Sequence, residues 1–313
     1  MNRLRIGTWL TALALVAGCG GDNKKTENPD SDGSSSASAS TETSASSTSS
    51  TSASASSTAS SKPPALPPVE LVAGTPAQPP DKAPTISFKA PTAGQVIPAD
   101  KVAAFEIKLD LTGWDVPGGG NHVHLIIDNH PYKRVDDPKS IKLGDLDPSY
   151  TLAEGEHVLI AFPSRPTHES VKPIGKAVPV AVVPFWVGKK GKTSFKATDP
   201  ILVYSRPKGA NDGPPPEGGI LVDFYLLNAE LGAGKYSIEA TLTGPGAESG
   251  IKATIDSWVP WRIKSPRDGD YSLHLVLLDK DKKPVPGAWN DTTRPFSVNT
   301  KKEAEVHSHP EKK

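Results

Sequence analysis

From residue 85 to residue 300 the chain is a succession of short β-rich runs, each closed by Gly, Pro, Asn or Asp, and this punctuation confines it to antiparallel sheets. Residues 103–111, 122–128, 157–162, 178–187, 220–227, 236–242, 271–278 and 295–299 are rich in β-branched and aromatic side chains. No capped helical period interrupts them, which points to all-β sandwiches. At about 100 residues per sandwich, this length holds two domains of ordinary size or one larger one. Residues 85–198 and 199–300 are the expected division.

Upstream, the composition changes twice. Arg3 and Arg5 precede an apolar run over residues 6–17, too short to cross a bilayer as a helix and suited to the core of a signal peptide. The run ends in Val16-Ala17-Gly18-Cys19, which resembles the bacterial lipobox. The resemblance implies removal of residues 1–18 and lipidation of Cys19. It also implies a bacterial envelope location, and Gly20 in place of aspartate favours the outer membrane over the inner. Cys19 is the only cysteine, so a mature chain acylated there forms no internal disulfide. Residues 31–61 are almost entirely Ser, Ala and Thr, and residues 62–84 are rich in proline. Neither stretch has the apolar surface to offset its ordering entropy, so residues 19–84 are expected to form a disordered tether. As a flexible coil its roughly 65 residues span on the order of 45 Å. Residues 301–313 are expected to form a disordered charged tail carrying His307 and His309.

Basic and acidic residues balance at 35 each, which removes the electrostatic footprint of a nucleic-acid binder. The partners expected are the membrane, through the N-terminal lipid, and an unidentified envelope protein, glycan or small ligand. Catalytic signatures fail on inspection. The run Gly188-Lys189-Lys190-Gly191-Lys192-Thr193 has Trp186 where a phosphate loop needs glycine, and His168-Glu169 lacks a second histidine at zinc-protease spacing. Asp279 and Asp281 begin like a calcium loop but reach Asn290 at the twelfth position. A non-enzymatic protein with no required cofactor is the expectation.

The two halves share a weak repeat. Ile127-Asp128, Gly155-Glu156-His157-Val158 and Pro184-Phe185-Trp186-Val187 run in the same order as Ile255-Asp256, Gly269-Asp270-Tyr271-Ser272 and Pro295-Phe296-Ser297-Val298. The pattern resembles the immunoglobulin-like domains of bacterial surface and periplasmic lipoproteins. That resemblance implies two tandem antiparallel immunoglobulin-like β-sandwich domains acting as spacers or binding modules, without a chemistry.

Aligned on the Ile-Asp pair and the glycine, the first copy carries His122, His124 and His157 where the second has Gly250, Lys252 and Tyr271. His122 and His124 alternate with Val123, Leu125 and Ile127, so they share the face opposite that apolar set. With His157 on a neighbouring strand, three imidazoles would suit Zn²⁺ or Cu²⁺, although histidine also suits the wet face of a sheet. A second candidate is the polar loop holding Arg165, His168 and Lys172, which could present donors to an anion or belong to a plain solvated loop. Trp258, Trp261 and Trp289 would stack on a sugar or anchor the core.

Overall fold

The marked-off runs pair into four sheets. The computed structural model describes residues 65–139, 141–146, 151–216 and 218–303. The expected signal peptide, Cys19, the expected tether as far as residue 64, and His307 and His309 lie outside the described residues. The strands are β1 (Glu70–Ala73), β2 (Thr85–Ala90), β3 (Val96–Ile97), β4 (Glu106–Thr112), β5 (His122–Ile127), β6 (Lys133–Val135), β7 (Ile141–Lys142), β8 (Gly155–Ser164) and β9 (Ala181–Val187). They continue as β10 (Ile201–Arg206), β11 (Gly209–Asp212), β12 (Ile220–Leu227), β13 (Ser237–Thr243), β14 (Ile251–Ile255), β15 (Trp261–Lys264), β16 (Gly269–Leu278) and β17 (Asp291–Asn299). No helix among the described residues is long and apolar enough to cross a membrane.

Sheet β2-β4-β7 covers sheet β3-β9-β8-β5-β6 in the first sandwich, and β1-β15-β12-β10 covers β11-β17-β16-β13-β14 in the second. The protein is all-β, and its pairings are antiparallel except for the edge pairs β3–β9 and β11–β17. Alternate residues of the facing strands fill each interior. Ile107, Val123, Leu125, Leu159 and Phe185 pack in the first; Val222, Phe224, Ile238, Leu273 and Leu275 pack in the second.

The repeat is a repeat of register as well as of sequence. Gly155 pairs with Val187 and His157 with Phe185, as Gly269 pairs with Val298 and Tyr271 with Phe296. The Ile-Asp alignment fails, however. Strand β5 pairs with β8 as β13 pairs with β16, while β14, which holds Ile255, pairs only with β13. Phe162, opposite His124, and Val276, opposite Glu239, each lie seven residues beyond the glycine that opens their strand, so the counterparts of His122 and His124 are Ser237 and Glu239. An Ile-Asp pair marks the end of a strand before a turn, and it does not say which strand.

The expected tether also needs correction. Residues 70–73 form β1, which pairs antiparallel with β15 and buries Val69 and Leu71 in the second sandwich. The chain thus supplies one strand to the second sandwich before it builds the first. Residues after it stay attached: Gly74 N–H donates to the Pro260 carbonyl at 2.7 Å and Ala77 N–H to Glu169 Oε1 at 3.0 Å. Proline removes backbone donors, but Glu70-Leu71-Val72-Ala73 is proline-free and alternates enough to add to a sheet edge.

A third apolar cluster joins the sandwiches. Ile126, Ile160 and Phe162 of the first pack against Ile201, Val203, Tyr225 and Trp289 of the second. Strand β5 is consequently buried at every position, whereas β16 buries one face and leaves much of the other open.

Candidate metal centre

His122 and His124 share their strand face with Ile126, so they point at the second sandwich and are fully buried. The expected wet face is therefore closed. Antiparallel pairing places Ser164, the last residue of β8, opposite His122. Immediately after Ser164 the chain turns back on itself: His168 N–H donates to the Arg165 carbonyl at 2.8 Å, and Ser164 and Ser170 form a bridge. His168 sits in that turn at φ 66°, a left-handed conformation that few non-glycine residues hold without a compensating role.

The turn completes a triangle of nitrogens. His122 Nε2 lies 3.0 Å from His124 Nε2 and 3.0 Å from His168 Nδ1, and the latter two are 3.3 Å apart. Tetrahedral ligation at ~2.0–2.1 Å sets nitrogens ~3.3–3.4 Å from one another, so the triangle already has the dimensions of three metal ligands. The outer contacts orient the rings. His122 Nδ1 donates to the Gly120 carbonyl at 3.0 Å, which leaves its Nε2 as a lone pair facing inward. His124 Nδ1 is 3.0 Å from Ser205 Oγ, a hydroxyl that accepts or donates as the imidazole tautomer requires. Ser205 reaches it because the β10–β12 register slips between Tyr204 and Arg206, a bulge that turns the extra residue toward the first sandwich. Tyr132 stacks on His124, with ring centroids 3.5 Å apart, and its hydroxyl is 3.2 Å from His168 Nδ1.

Electrostatics keep all three rings neutral. Burial, reinforced by Arg134 and Arg206 against the bond to Gly120, lowers the His122 pKa to about 4. Burial and Arg206 hold His168 well below the ordinary histidine value, and burial with the two neighbouring histidines does the same to His124. Neutral imidazole is the ligating form, and it is present here without displacement of a proton at ordinary pH.

His157, expected as the third ligand, is not part of the triangle. It lies seven positions before Ser164 on β8, ~23 Å away at ~3.3 Å per residue. Both its nitrogens are engaged, Nδ1 with Asp128 Oδ2 at 2.5 Å and Nε2 with the Ala153 carbonyl at 2.8 Å.

Nor does the loop present Arg165, His168 and Lys172 to one anion. Arg165 donates to the Gln78 carbonyl and lies over Trp114. Lys172 Nζ donates to Asp223 Oδ1, Ser170 Oγ and the Phe224 carbonyl, each at 2.7 Å. The loop fastens the two sandwiches and the incoming segment together, and His168 alone turns to the metal site. Of the tryptophans, Trp289 is buried between the sandwiches, and Trp258 packs edge-on against Tyr225 and donates to the Phe224 carbonyl. Trp289 offers no exposed face for stacking, and Trp258 is partly buried beside a cavity that Tyr236 and Pro173 also line.

No family model and no curated protein sequence matches this chain. Among solved structures, the fibronectin(III)-like modules of Clostridium thermocellum CbhA overlap 72% of this chain and 100% of their own, at 12% identity and a TM-score of 0.26. Drosophila N-cadherin EC1-3 overlaps 69% of this chain and 67% of its own, at 11% identity and a TM-score of 0.22. A 1.5-MDa bacterial ice-binding adhesin overlaps 71% and 67%, at 11% and 0.21. Overlaps this low transfer no function, and the sandwich architecture stands on the strand pairings themselves.

Proposed function

We propose that this protein is a lipid-anchored, non-enzymatic metal-binding protein of the bacterial envelope, taking Zn²⁺ or Cu²⁺ on His122, His124 and His168. The observation that carries this reading is the triangle of imidazole nitrogens at 3.0, 3.0 and 3.3 Å in a buried site between the sandwiches. An all-nitrogen set without thiolate or thioether suits borderline divalent ions and disfavours Cu⁺. Three protein ligands also leave a coordination position for a further ligand. The lipidated Cys19 would hold the site at the membrane while the chain as far as β1 gives it reach.

Metal analysis of the chain carrying Cys19→Ala, after exposure to Zn²⁺ or Cu²⁺ and gel filtration, tests the site. One ion per chain is expected, and His168→Asn should abolish it while preserving the fold, since asparagine accepts the left-handed conformation. Equal metal in both forms would overturn the assignment. For the anchor, Cys19→Ala should move the protein from the membrane to the soluble fraction in cells; unchanged membrane retention would exclude lipidation at Cys19.

A further inference from the structure

The histidine triangle reaches a cleft through His168. His122 and His124 are fully buried, and His168 is the member that reaches the surface, where it borders a cleft of about 650 Å³ between the sandwiches. Arg206 and Arg262 also line this cleft, and neither pairs with a carboxylate among the described residues. Lys302 lines it too and is bonded to Asp212 across it at 2.8 Å.

Charge makes the outlet informative. Apart from one another, the three rings hydrogen-bond to neutral groups, the Gly120 carbonyl, Ser205 Oγ and Tyr132 Oη, and Asp136 is the acidic group that acts on His122. A divalent ion on these ligands would add two positive charges to a buried point that already lies beside a guanidinium. Arg206 Nη1 donates to Tyr132 Oη at 3.3 Å, and that oxygen is 3.2 Å from His168 Nδ1, so the guanidinium is one hydroxyl removed from the metal position. Its Nε is buried and has no hydrogen-bond partner. A buried cation pair of this kind calls for a counter-charge, and the described carboxylates nearest to it are already engaged, Asp136 by Arg134, Asp223 by Lys172 and Asp212 by Lys302.

We propose that the metal centre takes an oxyanion, a carboxylate or a phosphate, from the cleft as its fourth ligand, and that Arg206 binds the same anion. This rests on the metal reading above. One oxygen would occupy the open coordination position, and a second would accept from the Arg206 guanidinium, the geometry in which Arg outperforms Lys for planar or tetrahedral oxyanions. The site would thus recognise a metal and an anion together, each strengthening the other.

The test uses the Cys19→Ala chain, copper-loaded and copper-free, with inorganic phosphate and acetate as probes. Addition of phosphate or acetate to the Cu²⁺ form should change the copper electron paramagnetic resonance spectrum, and calorimetry should detect binding that the copper-free protein lacks. Arg206→Gln should weaken phosphate binding by about tenfold or more, the effect of one charge-assisted bond, while Cu²⁺ affinity in anion-free buffer stays equal or rises because a repelling cation has gone. Arg206→Lys should fall between the two. A copper spectrum indifferent to both anions would overturn the proposal and leave the metal site standing, as would an Arg206→Gln protein with undiminished phosphate affinity. Equal phosphate binding with and without copper would likewise refute the shared site. Absence of Cu²⁺ binding would instead overturn the metal reading on which this one rests.

Discussion

His122 Nε2 and His168 Nδ1 meet at 3.0 Å across 46 residues of sequence, and they meet because β8 runs antiparallel to β5 and turns back immediately after reaching His122. The third ring, His124, is held from the other sandwich by Ser205. A hydroxyl on the outer nitrogen of a ligating imidazole sets ring orientation and tautomer, so Ser205→Ala should weaken metal binding by about 10–100-fold without abolishing it. Competition against a chelator of known affinity would measure this. An affinity equal to that of the unaltered chain would mean that Ser205 does not position His124.

How much of this was legible beforehand differs from residue to residue. The strand runs and the glycine that opens β8 are readable from turn punctuation, because alternation and glycine placement are local properties. His-x-His is visible in the sequence, but its burial is signalled only by Ile126, which shares the face of His122 and His124 and marks that face as covered. His168 could not be assigned from spacing, since its approach depends on the β5–β8 register and on a turn of four residues, both set by long-range pairing. His157 offers itself in the sequence because it lies on the adjacent strand, yet adjacency says nothing about which end of the strand is opposite. Strand β1 was hidden by the prolines around it, its signal amounting to four residues.

That hidden strand has a measurable consequence. Val69 and Leu71 are buried in the second sandwich, and each buried aliphatic side chain contributes roughly 1.5–3 kcal/mol. A chain beginning at residue 85 should therefore be less stable than one beginning at residue 65 by roughly 3–6 kcal/mol, with the loss in the second sandwich. Urea unfolding followed by tryptophan fluorescence compares the two. Equal midpoints and slopes would show that β1 adds nothing to the fold.

The junction between the sandwiches depends on a buried ion pair. Asp223 is fully buried, Lys172 partly so, and Lys172 also lies near the faces of Phe224 and Trp258. Lys172→Met would leave the Asp223 carboxylate without its cation and should cost about 3–5 kcal/mol, whereas Lys172→Met combined with Asp223→Leu should recover much of that loss. A single variant within ~1 kcal/mol of the parent in denaturant unfolding would contradict a buried, interdependent pair.

The pair at the opposite end of β8 should respond to pH with a definite sign. Burial opposes charge on His157, but its bonds to Asp128 and to the Ala153 carbonyl outweigh burial, and the pKa is raised above the ordinary value. The folded state therefore holds this proton more tightly than the unfolded chain, whose histidines titrate near ~6.5. The stabilisation is fully present below that pH and is lost as pH rises through the folded-state pKa. Replacing His157 with Gln removes the titration while keeping a polar side chain. The stability difference between the parent and His157→Gln, measured by urea unfolding of metal-free protein, should be largest in mildly acidic buffer and shrink toward alkaline pH. A difference that grows with pH would reverse the sign and show that burial, not Asp128, governs the group.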